Sequence, residues 1–327
     1  MSNITFIVGP TAVGKTEVAY QLAKKINPST SLSVLRSVLN QSKEGAVERI
    51  KAEIVSADSM LFYKEASIIT SRPPEYILRS IPHYFIGNIS VKDSYSVFDY
   101  FTESSKLISD LHRKNIPLIV CGGSGLYVKA LLDGIFGGAG EDKDLRKKLE
   151  GKAKEFGKEY LREELRKVDP ETAEKVKDLR RIIRALEVYR LTGVPLSQKK
   201  KEAKGLWGKL PIKIFGLRMK KESLRERIDK RVENMFSCGA VDEVKKLLRP
   251  DLSPAAEKII GIKEIAGFLN GEYDIETAKE LMKQATRQLA KRQMTWFRAD
   301  KRINWIDIDT FAAEEAADKM LKDDKQK

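Results

Sequence analysis

The chain opens with a short apolar run, Ile4-Thr5-Phe6-Ile7-Val8, that stops at Gly9-Pro10. A β-branched and aromatic run bounded in this way predicts a buried parallel strand entering a loop. Beyond the loop, Val18, Ala19, Leu22, Ala23 and Ile26 recur at helical spacing over residues 16–26. Residues 28–52 are polar and serine-rich, with a helix expected near 32–39, and they precede a second apolar run, Glu53-Ile54-Val55-Ser56. Residues 100–113 read as an amphipathic helix, and Ile116-Pro117-Leu118-Ile119-Val120-Cys121 as another buried strand ending at Gly122-Gly123. This strand–helix alternation predicts a parallel sheet with helices on both faces.

The pattern changes after Gly137-Gly138-Ala139-Gly140, which reads as a hinge. Residues 141–204 are charged, helical in period and poor in strand signals, broken at Pro170 and at Thr192-Gly193-Val194-Pro195. Ile212-Lys213-Ile214-Phe215-Gly216-Leu217 then returns to the sheet. Helices continue to about 299, and Ile303-Asn304-Trp305-Ile306 predicts a last short strand. The expected architecture is an α/β core over 1–137 and 206–327, with a helical insertion over 138–205.

Composition narrows the partners. The 327 residues carry 61 Lys+Arg against 47 Asp+Glu, a net charge of +14, which favours polyanions such as nucleic acid or an acidic membrane surface. Cys121 and Cys238 are the only cysteines and His83 and His112 the only histidines, which excludes a disulfide framework and a soft-ligand zinc site. A reducing, cytoplasmic setting is expected, since neither a secretory signal nor an apolar stretch of membrane-spanning length is seen.

Gly9-Pro10-Thr11-Ala12-Val13-Gly14-Lys15-Thr16 fits G-x-x-x-x-G-K-[ST] between a strand and a helix. In that context the backbone N–H groups curl around an anion, and the helix N-terminus adds positive potential. Lys15 supplies a point charge to the terminal phosphate, and the Thr16 hydroxyl suits Mg²⁺. The loop specifies a diphosphate or triphosphate without saying which molecule carries it.

Asp58, in Val55-Ser56-Ala57-Asp58-Ser59-Met60, falls just past the second strand, at the sheet edge where open α/β folds bind ligands. A catalytic carboxylate and a helix N-cap fit that position equally well. Ser124 ends the next strand at the same edge and has the same two readings. Lys279, Lys283, Arg287 and Lys291 fall at successive i+4 positions, extended by Arg292, Arg298, Lys301 and Arg302. Such a stripe either tracks a phosphate backbone or is a solvated face. The interleaved Trp296 and Phe297 read more readily as core than as base-stacking groups. Arg180, Arg181 and Arg184 form a second cluster. Arg225, Arg227 and Arg231 form a third, and arginine forks suit phosphate.

The sequence resembles the tRNA dimethylallyltransferase (tRNA isopentenyltransferase) family. The matching segments are the loop at 9–16, Ser-Ala-Asp-Ser-Met at 56–60, Ile-Pro-His at 81–83 and Gly-Gly-Ser-Gly-Leu-Tyr-Val-Lys-Ala-Leu-Leu at 122–132. Arg-Arg-Ile-Ile-Arg-Ala-Leu-Glu-Val-Tyr at 180–189 and Ala-Thr-Arg-Gln-Leu-Ala-Lys-Arg-Gln-Met-Thr-Trp-Phe-Arg at 285–298 complete the set. The resemblance implies a P-loop NTPase-like fold and transfer of a dimethylallyl group from its diphosphate to N6 of the adenosine 3′ to the tRNA anticodon. It implies that the loop, residues 9–16, holds the donor diphosphate with Arg227 and Arg231, and that Mg²⁺ assists through Thr16. Asp58 falls on the family's general base and Ser124 on a threonine of its reaction channel.

By the same resemblance, tRNA contacts fall on Asp58, Ser59, Met60, Leu61, Ser124 and Arg146, and on Arg180, Arg181 and Arg184. Further contacts fall on Lys258, Gly261, Lys263, Arg287, Gln288, Lys291 and Arg292. The partners implied are the tRNA anticodon stem-loop and dimethylallyl diphosphate, with no membrane, for a protein expected to work as a monomer. Serine stands at 124 where the family usually has threonine, and Leu61 where glutamine is usual. Ile69-Thr70-Ser71-Arg72-Pro73 replaces the usual Gly-Thr-Ala-Lys-Pro, and residues 28–52 have no counterpart in compact members. The rival readings are an adenylate isopentenyltransferase acting on a free nucleotide, a P-loop small-molecule kinase, and a tRNA-binding protein without catalysis.

Overall fold

The computed structural model describes residues 4–26, 52–137, 140–248, 251–309 and 311–325. The expected helix at 32–39, and residues 138–139 of the expected hinge, lie outside them.

Six strands form one fully parallel sheet: β1 (Ile4–Val8), β2 (Glu53–Ser56), β3 (His83–Tyr84), β4 (Leu118–Gly122), β5 (Ile212–Arg218) and β6 (Ile303–Asp307). Their order is β3-β2-β4-β1-β5-β6. β1 is central, and Phe6, Ile7 and Val8 are wholly buried, which is why its sequence runs apolar without alternation. In register, Val8 stands beside Gly122 of β4 and Gly216 of β5. The C-terminal ends of β1, β2 and β4 therefore deliver Gly9, Asp58 and Ser124 to one edge. Gly9 adopts φ +148, and a Cβ there would come within 2.6 Å of the Leu217 carbonyl oxygen, so the loop leaves the sheet only with glycine.

The helices are α1 (Lys15–Ile26), α2 (Glu75–Ser80), α3 (Val97–Arg113), α4 (Gly125–Asp133), α5 (Lys143–Phe156), α6 (Lys158–Val168) and α7 (Pro170–Lys175). They continue with α8 (Leu179–Thr192), α9 (Leu196–Glu202), α10 (Lys221–Ser237), α11 (Ala240–Leu247), α12 (Ile262–Leu269), α13 (Ile275–Arg298) and α14 (Ala313–Lys325). α3 begins three residues before its apolar period, because Ser96 and Asp99 close a reciprocal capping box. Pro170 opens α7 at its first turn, with Asp169 as N-cap, so the proline that breaks the pattern also starts a helix.

The chain divides into two compact units, Met1–Lys129 with Trp207–Lys327, and Ala130–Leu206. The second unit thus takes in the last residues of α4, ahead of the glycine-rich stretch that marks the change in sequence pattern. Its core gathers Leu149, Leu161, Leu165, Ile182, Leu186 and Val188 from α5, α6 and α8. In the first unit, one core cluster places Ile7, Leu22, Ile119, Phe215, Ile306 and Met320 between the sheet, α1 and α14.

Candidate active site: an anion loop opening on an acceptor cavity

The loop from Gly9 to Thr16 leads straight into α1, with Lys15 as its first helical residue. Lys15 Nζ donates to the Pro10 carbonyl at 2.7 Å, folding the ammonium back over the loop. Burial pulls Lys15 below its ordinary lysine value of 10.5; Cys121 and Asp58 oppose the shift and Arg231 adds to it. From α10, Arg231 Nη1 donates to Thr11 Oγ1 at 3.2 Å and Nη2 to the Thr70 carbonyl at 3.2 Å. Its Nε is buried with no hydrogen-bond partner. Arg227 Nη1 reaches the Val13 carbonyl at 3.4 Å. Lys15 and Arg231, desolvated cations whose donors are spent on carbonyls, on the Thr11 hydroxyl or on nothing, make a site that gains on binding an anion.

A cavity of about 360 Å³ opens from this loop, lined by Thr11 and Arg231 together with Asp58, Ser59, Met60 and Ser124. Tyr127, Lys258, Arg292, Gln293 and Trp296 complete its polar and aromatic wall. Asp58 Oδ1 accepts from the Met60 backbone nitrogen at 3.1 Å, which holds the carboxylate in a tight turn beyond β2. The Ser124 hydroxyl accepts from Ser59 N at 3.1 Å and lies 3.2 Å from the Ser59 hydroxyl. The Ser124 hydroxyl thus cross-links the β2 and β4 loops, while its carbonyl accepts from Tyr127 N and Val128 N at the start of α4. Burial pushes the Tyr127 phenol up to about 12 and the Cys121 thiol up to about 12. Both remain protonated at neutral pH.

The turn that holds Thr70 is itself built by a distant residue. The Glu243 carboxylate on α11 accepts from Ser67 N, Ser67 Oγ, Ile68 N and Ile69 N at 2.7–3.0 Å. Arg72 then donates to the Tyr63 and Lys64 carbonyls, both at 2.8 Å. The unusual sequence at 69–73 is therefore ordered by Glu243 and Arg72, which present the Thr70 carbonyl to Arg231.

The structure does not bring all the expected residues together. Leu61 does not line the acceptor cavity: the Asp58–Leu61 turn, with Leu61 N on Asp58 O at 3.1 Å, directs Met60 there. Leu61 lines a small void of about 20 Å³ shared with Thr16, His83 and Cys121. The cationic stripe on α13 is largely neutralised. Lys279 and Lys283 pair with Glu233, and Arg287 pairs with Asp229 and Glu280, at side-chain exposures of only 18, 16 and 23%. Arg287, Gln288 and Lys291 face a separate cavity of about 640 Å³ with Pro10, Arg225 and Arg298. Only Arg292 of the four expected contacts on this helix lines the acceptor cavity. Trp296 lines the same cavity and is 42% exposed, against the expected core role, whereas Phe297 is buried as expected.

Lys258 is exposed on the cavity wall and Lys263 on α12. Gly261, with φ +110, starts α12, and its N–H is held by Glu264 Oε2 at 2.7 Å. In the second unit Arg180 and Arg181 are exposed at the start of α8. Arg146 and Arg184 instead grip the fully buried Glu187, and Arg184 also donates to the Gly140 carbonyl. Gln293, Trp296 and Glu243 escaped the sequence reading as site residues. The first two lie inside the recognisable 285–298 segment, which was the available signal.

Among the described residues no cluster of three or more His, Cys, Asp and Glu side chains is placed to hold a metal ion. One hydroxyl, Thr16, and one carboxylate, Asp58, beside an anion loop still suit Mg²⁺, which takes most of its ligands from phosphate oxygens and water.

A parallel sheet with an anion loop after its central strand and an acceptor cavity beyond it defines a P-loop transferase. Residues 61–300 match the family model described as IPP transferase. A tRNA dimethylallyltransferase of Halothermothrix orenii is 40% identical over 315 residues, covering 94% of this chain and 88% of that protein. Another, from Pelotomaculum thermopropionicum, is 41% identical over 318 residues, covering 95% and 92%. Among solved structures, the full-length tRNA isopentenylpyrophosphate transferase of Bacillus halodurans is 30% identical at TM-score 0.66, covering 98% of this chain and 96% of that one. A eukaryotic dimethylallyltransferase acting on tRNA superposes at TM-score 0.77 with 26% identity, covering 99% and 80%. The chain belongs to the IPP transferase family and is a prenyltransferase of the tRNA-modifying kind. No helix among the described residues is long and apolar enough to cross a membrane.

Proposed function

We propose that the chain transfers the dimethylallyl group of dimethylallyl diphosphate to N6 of the adenosine 3′ to the anticodon of cytoplasmic tRNA, giving N6-isopentenyladenosine. The observation that carries this reading is the sharing of one cavity by Arg231 and Thr11 at its anion end and by Asp58 and Ser124 on its acceptor wall.

In this account Lys15, Arg227, Arg231 and the loop N–H groups hold the donor diphosphate and take up the charge that develops as it leaves. The C1–O bond of the donor breaks, the bond from N6 to C1 forms, and the N6 proton passes to Asp58 as diphosphate departs. Ser124 keeps Ser59, and with it the Asp58 turn, at a fixed distance from the β4 loop. When bound, Mg²⁺ on Thr16 and the phosphate oxygens would lower the barrier to departure of the diphosphate. A paired, stacked adenine cannot enter such a cavity, so the base must be extruded at a cost of a few kcal/mol. Exposed Lys258 and Arg292 on the cavity wall supply phosphate contacts that offset this cost.

The test is Asp58→Asn, with the product nucleosides of an anticodon stem-loop analysed after digestion. Turnover to N6-isopentenyladenosine should be lost while donor and RNA binding persist. Turnover within about tenfold of wild type, ~1.4 kcal/mol of barrier, would remove Asp58 from the role of base.

A further inference from the structure

We infer that Gln293 is a positioning residue that locks the anion loop to the acceptor loop, setting the separation at which donor and base meet. The inference rests on the function proposed above.

Gln293 lies on α13, 9% exposed, and both ends of its amide are used across the fold. Its Oε1 accepts from the Thr11 backbone nitrogen at 2.7 Å, and its Nε2 donates to the Gly123 carbonyl at 3.0 Å. Thr11 is the residue whose hydroxyl accepts from Arg231, and Gly123 immediately precedes Ser124. One amide thus bridges the two loops that carry the opposing halves of the chemistry. It also occupies the Thr11 N–H, leaving the N–H groups further along the loop to serve the anion.

Two glycines are shaped around this arrangement. A Cβ on Gly123 would lie 2.6 Å from Gln293 Nε2, so a side chain there would displace the amide. One turn along α13, Trp296 covers Gly125 so closely that a Cβ would lie 2.4 Å from its ring. The same helix therefore grips the residues on both sides of Ser124. An apolar side chain would fill the Gln293 position without the cost of burying an amide. What the amide adds is a fixed register between backbone groups on two loops. Misplacement of reacting groups by about 1 Å costs as much as 10²-fold in rate.

Gln293→Met keeps length and apolar packing while removing both hydrogen bonds. The expected result is a fall of about ten- to a hundredfold in kcat/KM for dimethylallyl diphosphate, with stem-loop affinity by filter binding unchanged. Gly123→Ala should reproduce the defect, and the double variant should be no worse than either single one, because both break the same bridge. Gln293→Glu can still accept from Thr11 but not donate to Gly123, and it adds negative charge. It should weaken binding of inorganic diphosphate, measured by calorimetry, by about tenfold or more. Gln293→Met within twofold of wild type would overturn the inference, and so would additive losses in the double variant or an equal loss of RNA affinity. Wild-type turnover is the control. Its absence would sink the proposed function, whereas weakened binding of inorganic diphosphate by Gln293→Met, which adds no charge, still tests the bridge.

Discussion

The Arg231 guanidinium donates to the Thr11 hydroxyl at 3.2 Å and to the Thr70 carbonyl at 3.2 Å, joining α10 to the anion loop and to the turn that Glu243 orders. The geometry needs two donors diverging from one planar group, which an ammonium does not provide. Arg231→Lys should therefore lower kcat/KM for the donor by about a hundredfold while stem-loop binding is kept. Retention of near-wild-type donor kinetics would show that charge alone suffices at this position.

Lys15 couples donor binding to pH. Burial depresses its pKa in the free protein, and a bound diphosphate raises it again by supplying the counter-charge. Binding of diphosphate should take up protons in alkaline buffer and weaken as pH rises through the depressed value. The sign for stability follows from proton binding: the unfolded chain keeps this proton to about pH 10.5, and the folded chain gives it up earlier. The destabilisation from burying the charge is thus present at neutral pH and fades as pH rises. Lys15→Met should raise the Tm of the ligand-free protein at pH 7 while abolishing diphosphate binding; calorimetry checks both.

The charge pairing on α13 separates structural from RNA-facing cations. Lys279 is held by Glu233 and Glu276, so Lys279→Ala should leave the slope of stem-loop binding against log salt nearly unchanged. Arg292 lines the acceptor cavity in an exposed position and has no ion pair among the described residues. Arg292→Ala should weaken binding and reduce the slope by about one unit. Equal effects of the two substitutions would mean that the Glu233 pairs open when RNA binds.

In the unit Ala130–Leu206, Glu187 governs acid stability. Burial alone would raise its pKa, but bonds from Arg146, Arg184 and the Asp142 N–H outweigh it and hold it below the ordinary carboxylate value of 4.5. This stabilisation is fully present above pH 4.5 and is lost as pH falls through the lower folded value. Glu187→Gln should cost about 3 kcal/mol at neutral pH and flatten the acid limb of the stability profile. Urea titration at several pH values would show it, and an unchanged acid limb would contradict the assignment.

Five of the six strands, the loop at 9–16 and the position of Asp58 were legible because each follows from local pattern: uninterrupted apolar runs, glycine spacing, a place just past a strand. The two-residue β3 (His83–Tyr84) offers no such run and was missed. What else escaped depends on partners far away in sequence. The i+4 cations on α13 gave no sign that Asp229 and Glu233, on α10, would neutralise them. Gln293 reads as one more polar helix residue until Thr11 and Gly123 are brought to it, and Glu243 until the 67–69 turn folds onto it. Of the catalytic residues the resemblance implied, Asp58, Ser124 and Arg231 line one cavity and Lys15 does not, while Leu61 lines a separate small void, because the turn after Asp58 sends adjacent side chains to opposite sides.

The most direct measurement supplies labelled dimethylallyl diphosphate and Mg²⁺ with an adenosine-containing anticodon stem-loop and an excess of AMP in the same tube. The account predicts label in the stem-loop alone, released on digestion as N6-isopentenyladenosine. Label in AMP would place the acceptor outside tRNA, and label in neither would contradict prenyl transfer by this chain.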